Sequence, residues 1–449
     1  MNHADTTAAA TSAPAQADQP GLILLTHPAG RPPAQAHTGL ASLELAAPIA
    51  ENTAFNVGSV AKQITAYLLV RAARDGLVAL GQPVSRVLPR FKVPGVSIGD
   101  LIQHHGGIRD AESLLSLAGF RDLDHYTADD LLALAYRQDR RAVESGRFLY
   151  SNTGYLLLAE ILQHIHGTGL QDIADQQIFT PLGMTSARFR NDPREVIPGA
   201  AASYQPTADG YLHQQRPVTL PGPGSLWCTA PDLDRWLGHL SREWSLAPGS
   251  QLPFEQYLGY RPSDHHPFTY GAGLYADPRP AHTAVFHYGH EQGFSAAAHL
   301  TSPGLRVVCL SNHARIPADR IVAAALSDLA GQPDTHPGQL LTRALNTQPA
   351  PAPSATTRRH DGTPEAEHTP LGTYTCDEVP GTLRLTRSDG TLYLWRRGTR
   401  DRLTRTGPAT YTGDGYTLTL AATEAGPGDR PRSFVLDLDR APGLHYRSG

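Results

Sequence analysis

Strand-like runs stand at both ends of a long helical stretch in this chain, and that arrangement restricts its folds more than any other feature. Leu22–Thr26 and His37–Leu43 read as strands separated by Pro/Gly-rich turn residues. Runs of the same kind return at Ala284–His287, Phe294–Leu300 and Arg306–Leu310. Between them, Ser59 to Asp75 has a helical pattern, with Ile64, Leu68 and Leu69 spaced for burial and Gly76 placed as a stop. Helical stretches dominate from 98 to 241, and Thr229-Ala-Pro-Asp232 reads as an N-cap with Pro and an acid in the first turn. A further helix near Asp319–Leu329 ends at Gly331. The pattern predicts an α+β domain whose antiparallel sheet is built from both ends of the segment, with a helical subdomain between them.

The chain divides by composition. Residues 1–20 read as a disordered tail and 21–345 as the main domain. Residues 346–370, where Pro349, Pro351 and Pro353 alternate with Ala, read as a linker. Beyond it, 371–449 carries short alternating runs at Leu383/Leu385, Leu392/Leu394, Leu418/Leu420 and Phe434/Leu436/Leu438. Ser388-Asp389-Gly390 supplies a hairpin turn between two of these runs. A small all-β barrel or sandwich follows from this pattern.

Bulk chemistry excludes several functions. A net charge of −4 without a basic block argues against nucleic acid as a partner. No run approaches the roughly 18 apolar residues of a membrane span. Cys228, Cys309 and Cys376 are too few and too scattered for a disulfide framework or zinc knuckle, so buried free thiols are expected. The first twenty residues lack Lys, Arg and an apolar core, which points to a cytoplasmic protein.

Two patterns are decoys. Gly95-Val96-Ser97-Ile98-Gly99 matches a nucleophile elbow, but Pro94 replaces the strand that an elbow needs. Ser97 and Asp100 have instead the spacing of a helix cap. The 21 histidines include the tandem pairs His104-His105 and His265-His266, whose side chains diverge. His164 and His166 lie on different sides of a helix, and no H-E-x-x-H occurs, so neither a metal nor another cofactor is expected.

Ser59-Val-Ala-Lys62 is different. On a helix, residues three apart face the same way, with Cβ atoms about 5–6 Å apart, so the amine can reach the hydroxyl and take its proton. Working at neutral pH asks burial and neighbouring cations for on the order of 4 kcal/mol. Arginine, which does not deprotonate, could not do this. Lys62 is one of only two lysines, with Lys92, in a chain that otherwise takes its cations from arginine. Tyr150-Ser151-Asn152 is the single Y-x-N. Its plain reading is a helix capped by Asn152 and running through His166; its chemical reading is a phenol that carries protons beside an amide that holds a substrate carbonyl or the lysine. His-x-Gly occurs six times, but only His287-Tyr288-Gly289 ends a strand and is followed by Gly293-Phe294 and another strand. His37-Thr38-Gly39 precedes the serine helix and is set aside.

Taken in order, Ser59/Lys62, Tyr150/Asn152 and His287/Gly289 resemble the serine β-lactamase-like superfamily, in the branch of class C β-lactamases, D-aminopeptidases, DD-peptidases and S-x-x-K esterases. The flanks strengthen the likeness. Phe55 to Ala66 looks like the nucleophile helix, and Asp75–Leu80 with Val84–Pro89 is similar to the next segment. Leu101–Ile108 resembles an L-L-x-H-T-S-G-L stretch, with Gly106 where serine is usual. Tyr150–Tyr155, Pro181–Met184 and Gly224–Leu233 also fit, so the resemblance covers about 21–345.

The resemblance implies a β-lactamase/transpeptidase-like fold and an acyl-enzyme on Ser59, with Lys62 and Tyr150 moving the proton. It implies an oxyanion hole at the backbone N–H groups of Ser59 and His290, and Asn152 orienting the substrate amide. Many relatives have Lys-Thr-Gly where this chain has His287-Tyr288-Gly289. Histidine, largely neutral at pH 7, should grip a carboxylate less well, and a charged His287 would favour carboxylate substrates below pH 6.5. This tilts the expected substrate toward a D-amino-acid peptide or amide, or a small ester. A class C-type β-lactamase and a slow penicillin-binding or sensor protein stay as alternatives. From Leu371-Gly-Thr-Tyr374 onward the tail resembles lipocalin-like C-terminal domains of some relatives. Capping the site, self-association into a homo-oligomer, and neither of these remain open for it.

Overall fold

A computed structural model describes residues 18–119, 125–214, 219–245, 252–277, 279, 283–302, 304–346, 369–396, 399–421 and 431–449. The expected tail at 1–20 and linker at 346–370 lie almost wholly outside the described residues. The described chain forms two compact units, one from the residues up to Leu80 and from Leu158 to 346, the other from Gly81–Leu157 and the residues from 369 onward.

The first unit is organised by an eight-stranded antiparallel sheet. Its order is Arg261–Pro262, Thr269–Gly271, Leu274–Asp277, Ala284–Glu291, Phe294–Thr301, Arg306–Ser311, Leu22–His27, Ala34–Thr38. The N-terminal strand pairs with a late one, Leu22 opposite Ser311 and His27 opposite Arg306, so both ends build the sheet as expected. Strand residues alternate between faces. Leu22, Leu24, Ala297, Val307 and Cys309 pack with Ile321, Val322 and Leu340 of the helices Ala318–Gly331 and Pro337–Asn346. On the strands Arg306–Ser311 and Leu22–His27 the helix Ala230–Ser245 also packs, burying Leu233, Trp236, Leu237 and Leu240. Thr229 caps it as expected, its Oγ1 accepting from the Asp232 N–H at 3.2 Å. The helix Pro337–Asn346 was not expected from the sequence.

The second unit joins short helices, Ile98–Ile102, Ala111–Leu117 and Ala128–Ala135, to a nine-stranded antiparallel sheet of barrel-like form. Ser97 does cap the first helix, in a reciprocal box with Asp100. In the sheet, Val379–Ser388 and Thr391–Arg396 form the expected hairpin, whose turn residues Asp389 and Gly390 have φ of 49° and 74°. Leu383, Leu385, Leu392, Leu394, Leu418, Phe434 and Leu436 fill its core, while Leu420 and Leu438 stay half-buried.

A buried ion pair ties helices to barrel. Arg109 Nη1 donates to Glu378 Oε2 at 2.8 Å, both side chains being 3% exposed. The same guanidinium donates through Nε to Pro442 O at 2.8 Å and through Nη2 to Gly443 O at 3.1 Å. Arg140 and Arg137 add bonds to Glu378 and to the Asp377 carbonyl. Removing one partner leaves an uncompensated buried charge, which costs about 3–5 kcal/mol. Arg109→Ala should therefore lower the denaturation midpoint by several degrees in a thermal scan, and Arg109→Lys, which keeps the charge but loses the fork, should recover only part of it. Equal midpoints for Arg109→Ala and the parent chain would remove the ion pair from this role.

Two histidines buried in the first sheet carry a second expectation. Burial pushes His287 down to about 3 and His299 down to about 4. The unfolded chain takes up their protons near pH ~6.5. Stability from both is complete above that pH and is lost as pH falls toward the folded values. The thermal midpoint should fall between pH 6.5 and 4, less steeply in His299→Gln; a midpoint flat over that range would contradict it.

Candidate active site

Ser59 sits where a short strand becomes a helix. Phe55–Asn56 pairs with Leu226–Cys228, and the Val57 N–H donates to Leu226 O at 2.9 Å. Asn56 Oδ1 accepts from the Gly58 N–H at 3.0 Å, and a 3-10 turn over Gly58–Ala61 leads into the helix Lys62–Arg74. Ser59 is half-buried and Lys62 is fully buried, at 0% exposure. Lys62 Nζ donates to Ser59 Oγ at 2.9 Å and to Pro223 O at 2.9 Å. Thr65 Oγ1 donates to Gly222 O at 2.8 Å, fastening the same loop to the next turn of the helix. The three-residue spacing thus brings amine and hydroxyl together as expected.

The strand Ala284–Glu291 runs against this turn, backbone to backbone. A Cβ on Gly289 would lie 2.0 Å from Val57 O and 3.1 Å from Ser59 N. A Cβ on Gly58, whose φ is +50°, would lie 3.0 Å from His290 N. Glycine at both positions is what allows the approach. It brings the backbone nitrogens of Ser59 and His290 to the same contact, while the His290 side chain is exposed.

His287 departs from expectation. It is 2% exposed and both ring nitrogens are engaged: Nδ1 lies 2.6 Å from Tyr288 O and Nε2 3.0 Å from Tyr270 Oη. A carbonyl can only accept, so Nδ1 carries the proton and Nε2 accepts from the tyrosine. Burial, then the charge of Lys62, push its pKa down to about 3. A neutral His287 cannot supply the charge that would favour carboxylates below pH 6.5, contrary to what its motif suggests.

Tyr150 and Asn152 belong to the second unit. The His104 ring lies 4.2 Å from the Tyr150 ring, and His104 Nδ1 accepts from the Ser151 N–H at 3.2 Å. The Arg440 guanidinium covers Tyr150, 4.9 Å from the ring centroid. The helix Asn152–His166 has the expected limits, but Asn152 does not cap it. Ser151 Oγ accepts from the Gly154 N–H at 3.4 Å, whereas Asn152 Nδ2 donates to Glu112 Oε2 at 2.7 Å. The Asn152 N–H donates to Asp110 Oδ2, also at 2.7 Å. Sequence reasoning missed His104, Asp110, Glu112 and Arg440. Only His104 had a signal, its place in the Leu101–Ile108 stretch.

Among the described residues, no group of three or more His, Cys, Asp or Glu is placed to hold a metal ion, and no helix is long and apolar enough to cross a membrane. The three cysteines are free and buried, as expected.

A family model described as Beta-lactamase matches residues 7–332. The chain is similar to the D-aminopeptidase of Cereibacter sphaeroides, 26% identical over 315 residues that make up 68% of this chain and 60% of that protein. It therefore spans less than two thirds of that relative's length. The D-aminopeptidase of Gluconobacter oxydans is 26% identical over 379 residues, 80% of this chain and 70% of that protein. Two solved structures share the fold. The D-amino acid amidase from Ochrobactrum anthropi SV3 has a TM-score of 0.56 at 21% identity, covering 65% of this chain and 85% of its own. The octameric penicillin-binding protein homologue from Pyrococcus abyssi has a TM-score of 0.61 at 19% identity, covering 95% and 96%. A serine and a buried lysine in hydrogen-bond contact at the start of a helix, beside a sheet built from both ends of the domain, agree with the family model that matches most of the sequence: this chain belongs to the Beta-lactamase family.

Proposed function

We propose that this protein is a serine hydrolase that forms an acyl-enzyme on Ser59 and cleaves an amide or ester bond, with D-amino-acid peptides and amides as the first substrate class and small esters as the second. The observation that carries the reading is the 2.9 Å bond between the buried Lys62 amine and Ser59 Oγ. In this reading a neutral Lys62 takes the Ser59 proton as Oγ attacks the carbonyl carbon. Charge developing on the carbonyl oxygen meets the N–H groups of Ser59 and His290, such donors being worth about 3 kcal/mol each. Tyr150 passes the proton to the leaving amine or alcohol, and Asn152 orients the substrate amide. Water then attacks the ester of Ser59, and the same groups act in reverse.

The D-amino-acid class is favoured by the D-aminopeptidases to which the chain is similar. The neutral His287 weighs against a dedicated β-lactamase, which gains from a permanent cation on its substrate carboxylate. Buried free thiols support the cytoplasm as the proposed location. The octameric assembly named for the Pyrococcus abyssi homologue, alike over nearly the whole chain, supports self-association; that the barrel carries it is a further part of the proposal, which sedimentation of the full chain and of a chain ending before 369 would compare.

Intact-mass spectrometry with a fluorophosphonate probe should give one adduct that Ser59→Ala abolishes. Lys62→Arg should slow turnover of a D-aminoacyl p-nitroanilide about 10²–10⁴-fold, because guanidinium cannot take the proton. An adduct that forms quickly and never turns over would favour the penicillin-binding sensor, and labelling unchanged in Ser59→Ala would remove Ser59 as nucleophile.

A separate expectation concerns His287. It stays neutral well below its ordinary value, so KM for a carboxylate-bearing substrate should carry no step of its own between pH 5 and 8. A KM that falls severalfold below pH 6.5 and loses that dependence in His287→Asn would show that the imidazole does charge.

A further inference from the structure

Glu291 closes the strand Ala284–Glu291, and a two-residue turn, Gln292-Gly293 with φ of 46° and 86°, returns the chain to Phe294. The turn is held from outside. Ser203 Oγ donates to Gln292 O at 2.6 Å, and a Cβ on Gly293 would lie 3.1 Å from the Ser203 and Gln214 side chains. Residues two apart on a strand share a face. Gly289 faces Val57 O and Ser59 N, so Glu291 is directed to the same side, one step further along. Its carboxylate borders the nucleophile turn: a Cβ on Gly224 would lie 3.5 Å from Glu291 Oε2 and 3.9 Å from the carbonyl carbon and oxygen of Gly58. Because residue 224 is glycine, it puts no side chain between that carboxylate and the residue before Ser59. Beside Glu291 opens a cleft of about 270 Å³ with Trp227, Phe294 and Ile197 among its walls. Arg190 also borders the cleft, but its guanidinium lies over the Trp227 ring, 5.9 Å from the centroid, and its Nε donates to Asp192 O at 3.1 Å.

We propose that Glu291 is a specificity-determining residue that binds the free α-ammonium of the aminoacyl group brought to Ser59. This role presupposes the hydrolase reading and narrows it. In that reading the acyl carbon meets Ser59 Oγ, and its oxygen meets the N–H groups of Ser59 and His290. The substrate amine is two bonds from the acyl carbon, about 2.5 Å away. It therefore stays beside the strand on which Glu291 follows His290. A carboxylate there gives an ammonium a charge-assisted partner. An acylated amine brings no charge, and it covers a half-buried carboxylate without compensating it. The apolar walls of the cleft suit the side chain of the aminoacyl group. The favoured substrates are then amides and peptides with an unblocked N-terminal D-amino acid, in preference to their N-acylated forms.

The test compares D-alanyl p-nitroanilide with N-acetyl-D-alanyl p-nitroanilide. The parent chain should prefer the free amine about 10–100-fold in kcat/KM. Glu291→Gln, which keeps the shape and removes the charge, should bring the ratio near one by slowing the free-amine substrate, and Glu291→Asp should keep part of the preference. No preference in the parent chain, a ratio unmoved by Glu291→Gln, or equal slowing of both substrates would each overturn the proposal. The hydrolase reading fails separately, by turnover of neither anilide together with no fluorophosphonate adduct on Ser59. Calorimetry of D-phenylalanine amide and its N-acetyl form on Ser59→Ala, with and without Glu291→Gln, would then decide the role of Glu291 by the same ratio.

Discussion

The backbone contact between Gly289 and Val57 is the constraint on which the site depends. Sheet strands ordinarily keep neighbouring segments at a distance set by their side chains, and a loop carrying a nucleophile would stay outside that layer. Here a Cβ on Gly289 would overlap the Val57 carbonyl, and a second turn presses on the other end of the motif, where a Cβ on Gly273 would lie 2.4 Å from Lys62 O. The turn that bears Ser59 is thus gripped by strands of a large sheet. Groups placed on rigid elements hold their positions more closely than groups on loops. The 2.9 Å serine–lysine contact is a consequence of that grip as much as of helical spacing.

Two basic side chains, Lys62 and His287, are buried in this region and are used differently. Desolvation disfavours a charge on the imidazole, and the neighbouring Lys62 disfavours it further. Histidine, with the weaker base, is held neutral and spends both nitrogens on Tyr270 and the Tyr288 carbonyl. That choice is structural: the imidazole braces the strand instead of meeting an anion. Lysine is bonded to a hydroxyl and a carbonyl, and it can carry the proton in the proposed reaction, which no arginine could. In a chain that uses arginine for almost every other cation, this is the position at which the difference between the two matters.

Legibility in the sequence followed the range of the interactions. Alternation of apolar residues announced the sheet strands and the barrel core because each strand reports its own burial, as Leu383, Leu385, Leu392 and Leu394 do. The Ser97 cap and the Asp389-Gly390 turn were legible because their chemistry is local. The helix Pro337–Asn346 was hidden because it abuts the proline- and alanine-rich stretch that composition marks as linker. Grouping the segment 81–157 with the barrel was beyond reach for another reason. It rests on Arg109 meeting Glu378, 269 positions later, and no periodicity encodes such a pair. His287 was legible as a motif but not as a neutral group, since its state is set by Tyr270 and by burial.

Arginine at 109 illustrates how one guanidinium can set the register between the helices and the barrel of a single unit. At Arg109 the guanidinium satisfies a carboxylate and two carbonyls at once, through nitrogens with fixed relative directions. An ammonium has the charge but not those directions, and in a buried position the unsatisfied carbonyls would add to its cost. The turn that follows is therefore held in one register, and Arg440, two residues before Pro442, is held with it. The stack on Tyr150 is the end of this chain of constraints: an ion pair inside the unit fixes a turn, and the turn fixes where an exposed charge stands.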